Sequence, residues 1–357
     1  MERTLIRNMW YVAGLSKEFP QGKPVGHTIV GLPIVLWRSK SGKVVAFDGR
    51  CCHKRMPLAD GKILEDDTLE CAYHGLCYDT SGKCVRIPSQ PEGPIPSRAK
   101  LKSYPIIEQD GMVWIWTGDA ENMARIQPPR IPEMASAEWE SIGSDPIYMK
   151  ANYLLIVENL LDITHFYPLH DGNIGDVENS KIPVQVVQDE VGGIKTVKSI
   201  REVQNYRHPP FYVDYFGYEI VDRRHTHWMV SPAITRVDLR CAPPGKLGTD
   251  AERGYILVHT HTPIDESNHV WRWCVNCKAN HFSRGDPKKS TAKRIAETFH
   301  AVVAQDIWAI EKQQEMFKYP EFTGEVHLRT DTTLLRAREI VRNLVARETE
   351  TVAEAAA

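Results

Sequence analysis

Glu158-Asn159-Leu160-Leu161-Asp162-Ile163-Thr164-His165-Phe166-Tyr167-Pro168-Leu169-His170 sets one Asn, one Asp and two His into an otherwise apolar segment. At about 100° per residue, Asn159, Asp162 and His165 share an arc of roughly 120° on one helix face. A solvated helix face would have the same spacing. Leu155 and Phe166 fall inside the arc, however, so the face is not uniformly wet. In an unbroken helix His165 and His170 would point roughly 140° apart, too far to hold one ion. Pro168 lacks an N–H and clashes with the preceding turn, so a break is expected at 166–168, and it would bring His170 back beside His165.

A carboxylate for the same centre is sought downstream. The spacing predicts a long helix over Thr291–Phe317, with Ile295, Phe299, Val303, Ile310 and Phe317 on its apolar face. Asp306 falls within that stripe, whereas Glu311 projects roughly 140° away from it. A carboxylate buried without a partner is costly, so Asp306 needs a cation or a hydrogen-bonding network. Two imidazoles and a carboxylate with open positions left over are the donor set of mononuclear non-haem Fe(II) oxygenases. A helix Asp paired to a core Arg or His is the plain alternative.

The chain has 357 residues, 42% of them hydrophobic and 25% charged, with a net charge of −2. That length allows two domains, and the near-neutral charge argues against nucleic acid or a basic membrane patch as partner. No apolar run reaches the roughly 18 residues of a spanning helix, and the N-terminus has no apolar signal core, so a cytoplasmic protein is expected. Four of the eight cysteines lie between Cys51 and Cys77, which favours metal over disulfides. Residues 5–120 read as short strands and turns, including the run Thr28–Trp37, and form an all-β domain. A Pro-rich linker covers 121–144. Residues 145–345 combine helix and strand patterns. Residues 346–357, acidic and alanine-rich, read as a disordered tail. The fold class is α+β, an all-β domain followed by a helix-on-antiparallel-sheet domain.

In the first domain Cys51-Cys52-His53 and Cys71-Ala72-Tyr73-His74 each offer one thiol and one imidazole. Mixed pairs at C-x-H and C-x2-H suit a two-iron cluster with two thiolates on one iron and two imidazoles on the other. A structural zinc site would use the same residues, though zinc fingers more often pair Cys with Cys and His with His. The motif resembles that of Rieske [2Fe–2S] proteins, with Gly75 and Gly82 also fitting.

With the Rieske-like domain in front, Asn159-x2-Asp162-x2-His165-x4-His170 and the later Asp306 resemble the oxygenase component of Rieske non-haem iron oxygenases. The run Asn159–His165 is similar to the branch containing vanillate and dicamba demethylases and toluenesulfonate methyl-monooxygenase. The resemblance implies Cys51, His53, Cys71 and His74 on the cluster, and His165, His170 and Asp306 on Fe(II). It also implies a homotrimer in which electrons pass from a neighbour's His74 through Asp162 to His165. Asn159 is expected to support that path by hydrogen bonding. Gln305 stands where an acidic residue often precedes the ligand, with no expected consequence for ligation.

The activity implied is O2-dependent oxygenation of a small aromatic or related substrate, by hydroxylation or by O-demethylation through an unstable hemiacetal. Ring cis-dihydroxylation and a plain Rieske electron carrier are the alternatives. With no dinucleotide-binding glycine fingerprint and no plant-type ferredoxin cysteine run, a separate NAD(P)H-dependent reductase, with or without a ferredoxin, is expected to dock near His53 and His74. His225, His227, His259 and Asn276, on strands of the second domain, are candidate substrate contacts.

Overall fold

The computed structural model describes residues 4–170, 173–175, 177–279, 290–319 and 321–356. Two compact units divide the chain: Arg7–Pro128, and Pro129 onward together with residues 4–6.

The first unit is built from three small antiparallel sheets. The run Thr28–Trp37, read as one strand, is a hairpin: Val25–Ile29 pairs with Leu32–Arg38. Val30 (φ 45°) and Gly31 (φ 76°) occupy the left-handed positions of the tight turn. β-branched residues on both sides conceal that turn, and Gly31 is its one local signal. Val35, Trp37, Phe47, Leu58, Leu69, Tyr78 and Leu101 pack into a core that also contains Cys51 and Cys71.

The second unit is one eight-stranded antiparallel sheet with helices packed against it. In chain order its elements are β1 (Trp139–Gly143), β2 (Ile147–Met149), α1 (Tyr153–Leu161), α2 (Phe166–Leu169), α3 (Val177–Lys181), β3 (Gln185–Val191), β4 (Ile194–Arg207), α4 (Pro210–Phe216), β5 (Ile220–Ser231), β6 (Ile234–Ala242), β7 (Arg253–Asp265), β8 (Asn268–Lys278), α5 (Thr291–Met316) and α6 (Thr332–Ala356). The strand order is β1-β8-β7-β6-β5-β4-β3, with β2 also on β8. Residues 139–143, placed in the linker by the sequence, are thus an edge strand.

Helix α1 is capped by the buried Asn152, whose side chain accepts from Leu154 N at 2.9 Å and donates to Thr4 Oγ1 and Glu266 O. Its Leu155 and Ile156 join Ile295, Phe299, Val302, Val303 and Ile310 of α5 and the sheet residues Leu239, Leu257, Trp271 and Trp273 in the main core. Phe317, assigned to the same stripe, is instead exposed just past the end of α5. Helix α6 was not anticipated, although Ala337, Ile340, Val341 and Leu344 repeat at helical spacing. Ala337 and Ile340 pack on Tyr153, Val157 and Leu161 of α1 and on Val197 and Met229 of the sheet. The helix continues to Ala356, so the tail expected from 346 has helical backbone that far; Ala357 lies outside the described residues.

Arg338 of α6 grips the buried Glu158 of α1 with two hydrogen bonds, Nη2 to Oε2 at 2.7 Å and Nε to Oε1, and also binds Glu325. Burial pushes the Glu158 carboxyl up, and the Arg338 guanidinium works against that rise. Arg338→Met strands Glu158 without its cation and should cost about 3 kcal/mol of stability. The check is the shift in the urea unfolding midpoint, and an unchanged midpoint would refute this role.

Candidate metal centres

In the first unit two loops share one backbone design. Cys51 N–H donates to Met56 O and Arg55 N–H to Cys51 O, both at 2.9 Å. Cys71 N–H donates to Leu76 O at 2.9 Å and Gly75 N–H to Cys71 O at 3.0 Å. The fifth residue of each loop, Arg55 (φ 61°) and Gly75 (φ 70°), is left-handed. This winding buries both cysteines in the core and leaves His53 and His74 exposed, their ring centroids 4.5 Å apart.

Burial raises the Cys71 thiol and the adjacent Cys51 adds to that rise, while the backbone N–H groups of Tyr73 and His74 favour the thiolate. The Tyr78 hydroxyl lies 3.1 Å from Cys51 Sγ and 3.2 Å from Cys52 Sγ. Two neighbouring buried sulfurs with hydrogen-bond donors turned toward them, and two imidazoles on the solvent side, fit a cluster with one sulfur-held and one histidine-held iron. Cys52 is exposed, whereas Cys77 and Cys84 are core residues.

In the second unit α1 ends at Leu161, and Asp162 has left the helix (φ −95°, ψ 131°). The break therefore precedes the expected position at 166–168. Its cause is the Asp162 carboxylate, which accepts from Thr164 N at 2.7 Å and Thr164 Oγ1 at 2.9 Å and so holds a turn that competes with the helix. Pro168 breaks nothing: it sits in the first turn of α2, where no intrahelical N–H is needed. Gly175 then passes under α2 so closely that a Cβ would lie 1.9 Å from Phe166 O.

The break turns both histidines toward α5. His170 Nε2 lies 3.1 Å and His165 Nε2 3.7 Å from Asp306 Oδ1, and one donor atom from each of the three residues falls within 4.8 Å of the others. His170 and Asp306 are buried and His165 is nearly so. Burial would favour neutral His170, but the Asp306 carboxylate outweighs it and raises the ring. His170 Nδ1 lies 2.9 Å from Gln305 Oε1, an oxygen that only accepts, so the ring carries its proton there and directs Nε2 at Asp306. Nothing in the residues around Gln305 signals this role. Asn159 Nδ2 donates to Asp306 Oδ1 at 3.2 Å, so the partner of Asn159 is Asp306 and not Asp162.

Asp162 Oδ2 stands 3.6 Å from His165 Nδ1, a contact too long for a hydrogen bond. Burial works to raise the Asp162 carboxyl, yet the His165 ring and the Thr164 N–H hold it below the ordinary carboxylate range. Buried His165 Nδ1 and Asn159 Oδ1 have no hydrogen-bond partner among the described residues. Two imidazoles and a carboxylate around one point, with the back of one ring braced by an amide, fit a divalent metal that keeps open positions.

These residues border a tight cleft with a cavity volume of about 30 Å³, walled by Phe166, Val237, Leu257, Phe299 and Val302. His225, His227 and His259 also line it. Burial holds all three neutral, His227 and His259 down to about 3 and His225 well below its ordinary value. Their tautomers follow from their partners. His227 Nδ1 donates to Leu160 O at 2.6 Å, leaving Nε2 an acceptor. His259 Nδ1 accepts from Trp271 Nε1 at 3.2 Å and His225 Nδ1 from Arg223 Nη2 at 3.3 Å, leaving each with a free Nε2–H donor. Asn276 does not line the cleft. Its amide is occupied by Ser141 Oγ, Ile256 O and Cys274 O, so a polar residue in a strand here serves the sheet.

Residues 149–347 match the vanillate O-demethylase oxygenase C-terminal domain family, and residues 9–105 match the Rieske [2Fe–2S] domain family. The chain is 30% identical to the iron-sulfur subunit of the toluene-4-sulfonate monooxygenase system of Comamonas testosteroni, over 96% of this chain and 98% of that protein. It is 29% identical to the vanillate O-demethylase oxygenase subunit of a Pseudomonas species, over 96% of each. The crystal structure of dicamba monooxygenase bound to dicamba superimposes with a TM-score of 0.85 at 25% identity, covering 98% of this chain and 100% of that one. No helix among the described residues is long and apolar enough to cross a membrane. Mixed Cys/His loops in the first unit and the His165–His170–Asp306 convergence in the second agree with these matches: the chain belongs to the Rieske non-haem iron oxygenases, with a catalytic domain of the vanillate O-demethylase type.

Proposed function

We propose that this protein is the terminal oxygenase of a reductase-driven system that places one oxygen atom from O2 on a small aromatic substrate, with O-demethylation as the favoured outcome. The observation that carries this reading is the convergence of His165, His170 and Asp306 on a cleft whose other walls are apolar or neutral imidazole. In it Cys51, His53, Cys71 and His74 hold the [2Fe–2S] cluster, and His165, His170 and Asp306 hold Fe(II). When bound, the two groups supply electron storage and oxygen chemistry.

The chain's own residues supply placement. Gln305 fixes the tautomer and angle of His170, and Asn159 holds Asp306 in place. Asp162 faces the outer nitrogen of His165, where the family pattern puts the contact to His74 of a neighbouring subunit in a homotrimer. A separate NAD(P)H-dependent reductase reaches the cluster at the exposed His53 and His74 edge. His225, His227 and His259 present two donors and one acceptor to the substrate, while Phe166, Phe299 and Val302 exclude water. A cytoplasmic setting, where such a reductase finds its nucleotide, belongs to the same reading.

A panel of aryl methyl ethers assayed with a surrogate reductase should give O2 uptake coupled to formaldehyde release. Uptake with no organic product from any of them would refute the assignment. Asp162→Asn should keep both metals and lower turnover by about 100-fold or more, as outer-sphere losses can; normal product formation by this variant would sink the relay. Gln305→Leu removes the acceptor behind His170 and should weaken Co(II) binding to the apo mononuclear site by about 10–100-fold, read by d–d absorbance titration. Equal affinity would leave Gln305 without a part in ligation.

A further inference from the structure

The cleft beside the metal-binding trio is too small for the molecule it is meant to take. Its cavity volume is about 30 Å³, whereas a cavity of about 150 Å³ accepts one benzene ring. An aromatic substrate reaches His165, His170 and Asp306 only if part of the wall gives way, and the described walls differ in their freedom to do so.

Val237, Tyr255 and Leu257 belong to β6 and β7, which are hydrogen-bonded to strands on both sides. Ile174, Phe299 and Val302 are packed into the main core. Leu160 lies in the last turn of α1, where its carbonyl accepts from His227 Nδ1. His165 and His170 are turned to Asp306. Phe166 is differently placed. Its backbone is fixed, because its N–H donates to Ile163 O at 3.2 Å and its carbonyl accepts from His170 N–H at 2.9 Å. Gly175 presses on that same carbonyl, so α2 has no room to shift downward. The side chain, by contrast, is half-buried, carries no polar atom and packs only against the border of the main core. Tyr167 and Pro168, which follow it, are exposed, so an outward rotamer leads to water.

The Phe166 ring also holds the middle of the site. Its centroid lies 5.0 Å from that of His165 and 5.7 Å from that of His170. On the sheet side it lies 6.0 Å from His227 and 6.3 Å from His225. One phenyl group thus meets both imidazole pairs, and three of the four contacts are edge to face, a favoured geometry for any aromatic ring in that place. A turn about its χ1 leaves a space of its own size among the four imidazoles. The apolar surface exposed by the turned ring is offset by the surface that an incoming ring buries, so exchanging one ring for another costs little.

We propose that Phe166 is the gate and the size filter of the cleft: its ring turns out to solvent, and the aromatic ring of the substrate takes its place among His165, His170, His225 and His227. The space vacated is one phenyl group, so the class admitted is a single substituted benzene ring, and fused two-ring ethers are excluded. This rests on the oxygenase reading for the kind of molecule that enters, but not for the movement of the ring.

The test is calorimetric binding to the full-length holoprotein of 4-methoxybenzoate and 4-methoxybenzamide, each against its two-ring counterpart, 6-methoxy-2-naphthoate or 6-methoxy-2-naphthamide. At least one of the one-ring compounds should bind about tenfold or more tightly than its counterpart. Phe166→Ala should remove that preference by tightening the two-ring compound about tenfold or more, and Phe166→Leu should remove part of it. With 4-fluorophenylalanine placed at position 166, saturation by the one-ring compound should shift the fluorine resonance and make it sensitive to heavy water, as a ring moved into solvent is. Should Phe166→Ala unfold, Phe166→Leu and the fluorine label decide the matter.

No binding by either one-ring compound, equal binding of one-ring and two-ring compounds by wild type, an unchanged preference in Phe166→Ala, or an unmoved fluorine resonance at saturation overturns the gate. Formaldehyde release separates it from the reading it rests on. Release from a one-ring ether whose binding leaves the resonance unmoved sinks the gate and leaves the oxygenase standing. A moved resonance and Phe166-dependent size selection, with no release from any aryl ether, keep the gate and sink the oxygenase.

Discussion

The turn that a side-chain oxygen of residue 162 closes on Thr164, one an Asn could close as well as Asp162, is what brings the residues of the second centre together. Had α1 run on, His165 and His170 would face different directions and Asp306 would be a buried carboxylate facing Asn159 without the two imidazoles. By accepting from Thr164 N and Oγ1, Asp162 ends the helix one turn earlier than Pro168 would have done. The chain can then re-enter a helix at Phe166 with both imidazoles turned toward α5. The same carboxylate meets the outer nitrogen of His165, so the residue that shapes the site is also the one at its edge. Each member of the trio has one side chain behind it: Gln305 bonded to His170, Asn159 bonded to Asp306, and Asp162 standing 3.6 Å from His165.

Charge around that point is arranged in layers. Asp306 and Asp162 are the carboxylates next to the histidines, and the sheet opposite supplies imidazoles kept neutral by burial. Neutral rings make the cleft a place where a dication and a mostly apolar molecule can coexist without competing cations. Arg201 and Arg223 belong to the same sheet face, around His225.

Much of this was legible in the residues. Cys51-x-His53 and Cys71-x2-His74 have a spacing with few meanings, and the structure brings their loops together with one backbone design. Asp306 was legible because a carboxylate on an apolar helix stripe is anomalous. What escaped depends on tertiary partners or on local competition. Pro168 carries a strong local breaking signal, yet the side-chain turn at Asp162 pre-empts it. Gln305 looks like any helix-surface amide until His170 is placed beside it. Asn276 looks like a pocket residue until Ser141 arrives on a neighbouring strand that the sequence had assigned to a linker. Arg201 and Arg223 look like exposed strand charges, since alternation alone does not say which face of a sheet is covered.

Metal content tests the account most directly. Iron and acid-labile sulfide, measured on wild type and on Asp306→Ala purified under identical conditions, should give about three irons and two sulfides per chain for the first. The variant should keep about two irons, two sulfides and the visible absorption of the cluster. Loss of one iron with the cluster intact is the result the His165–His170–Asp306 centre predicts. Full iron retention in the variant, or only the cluster's iron in wild type, would contradict it.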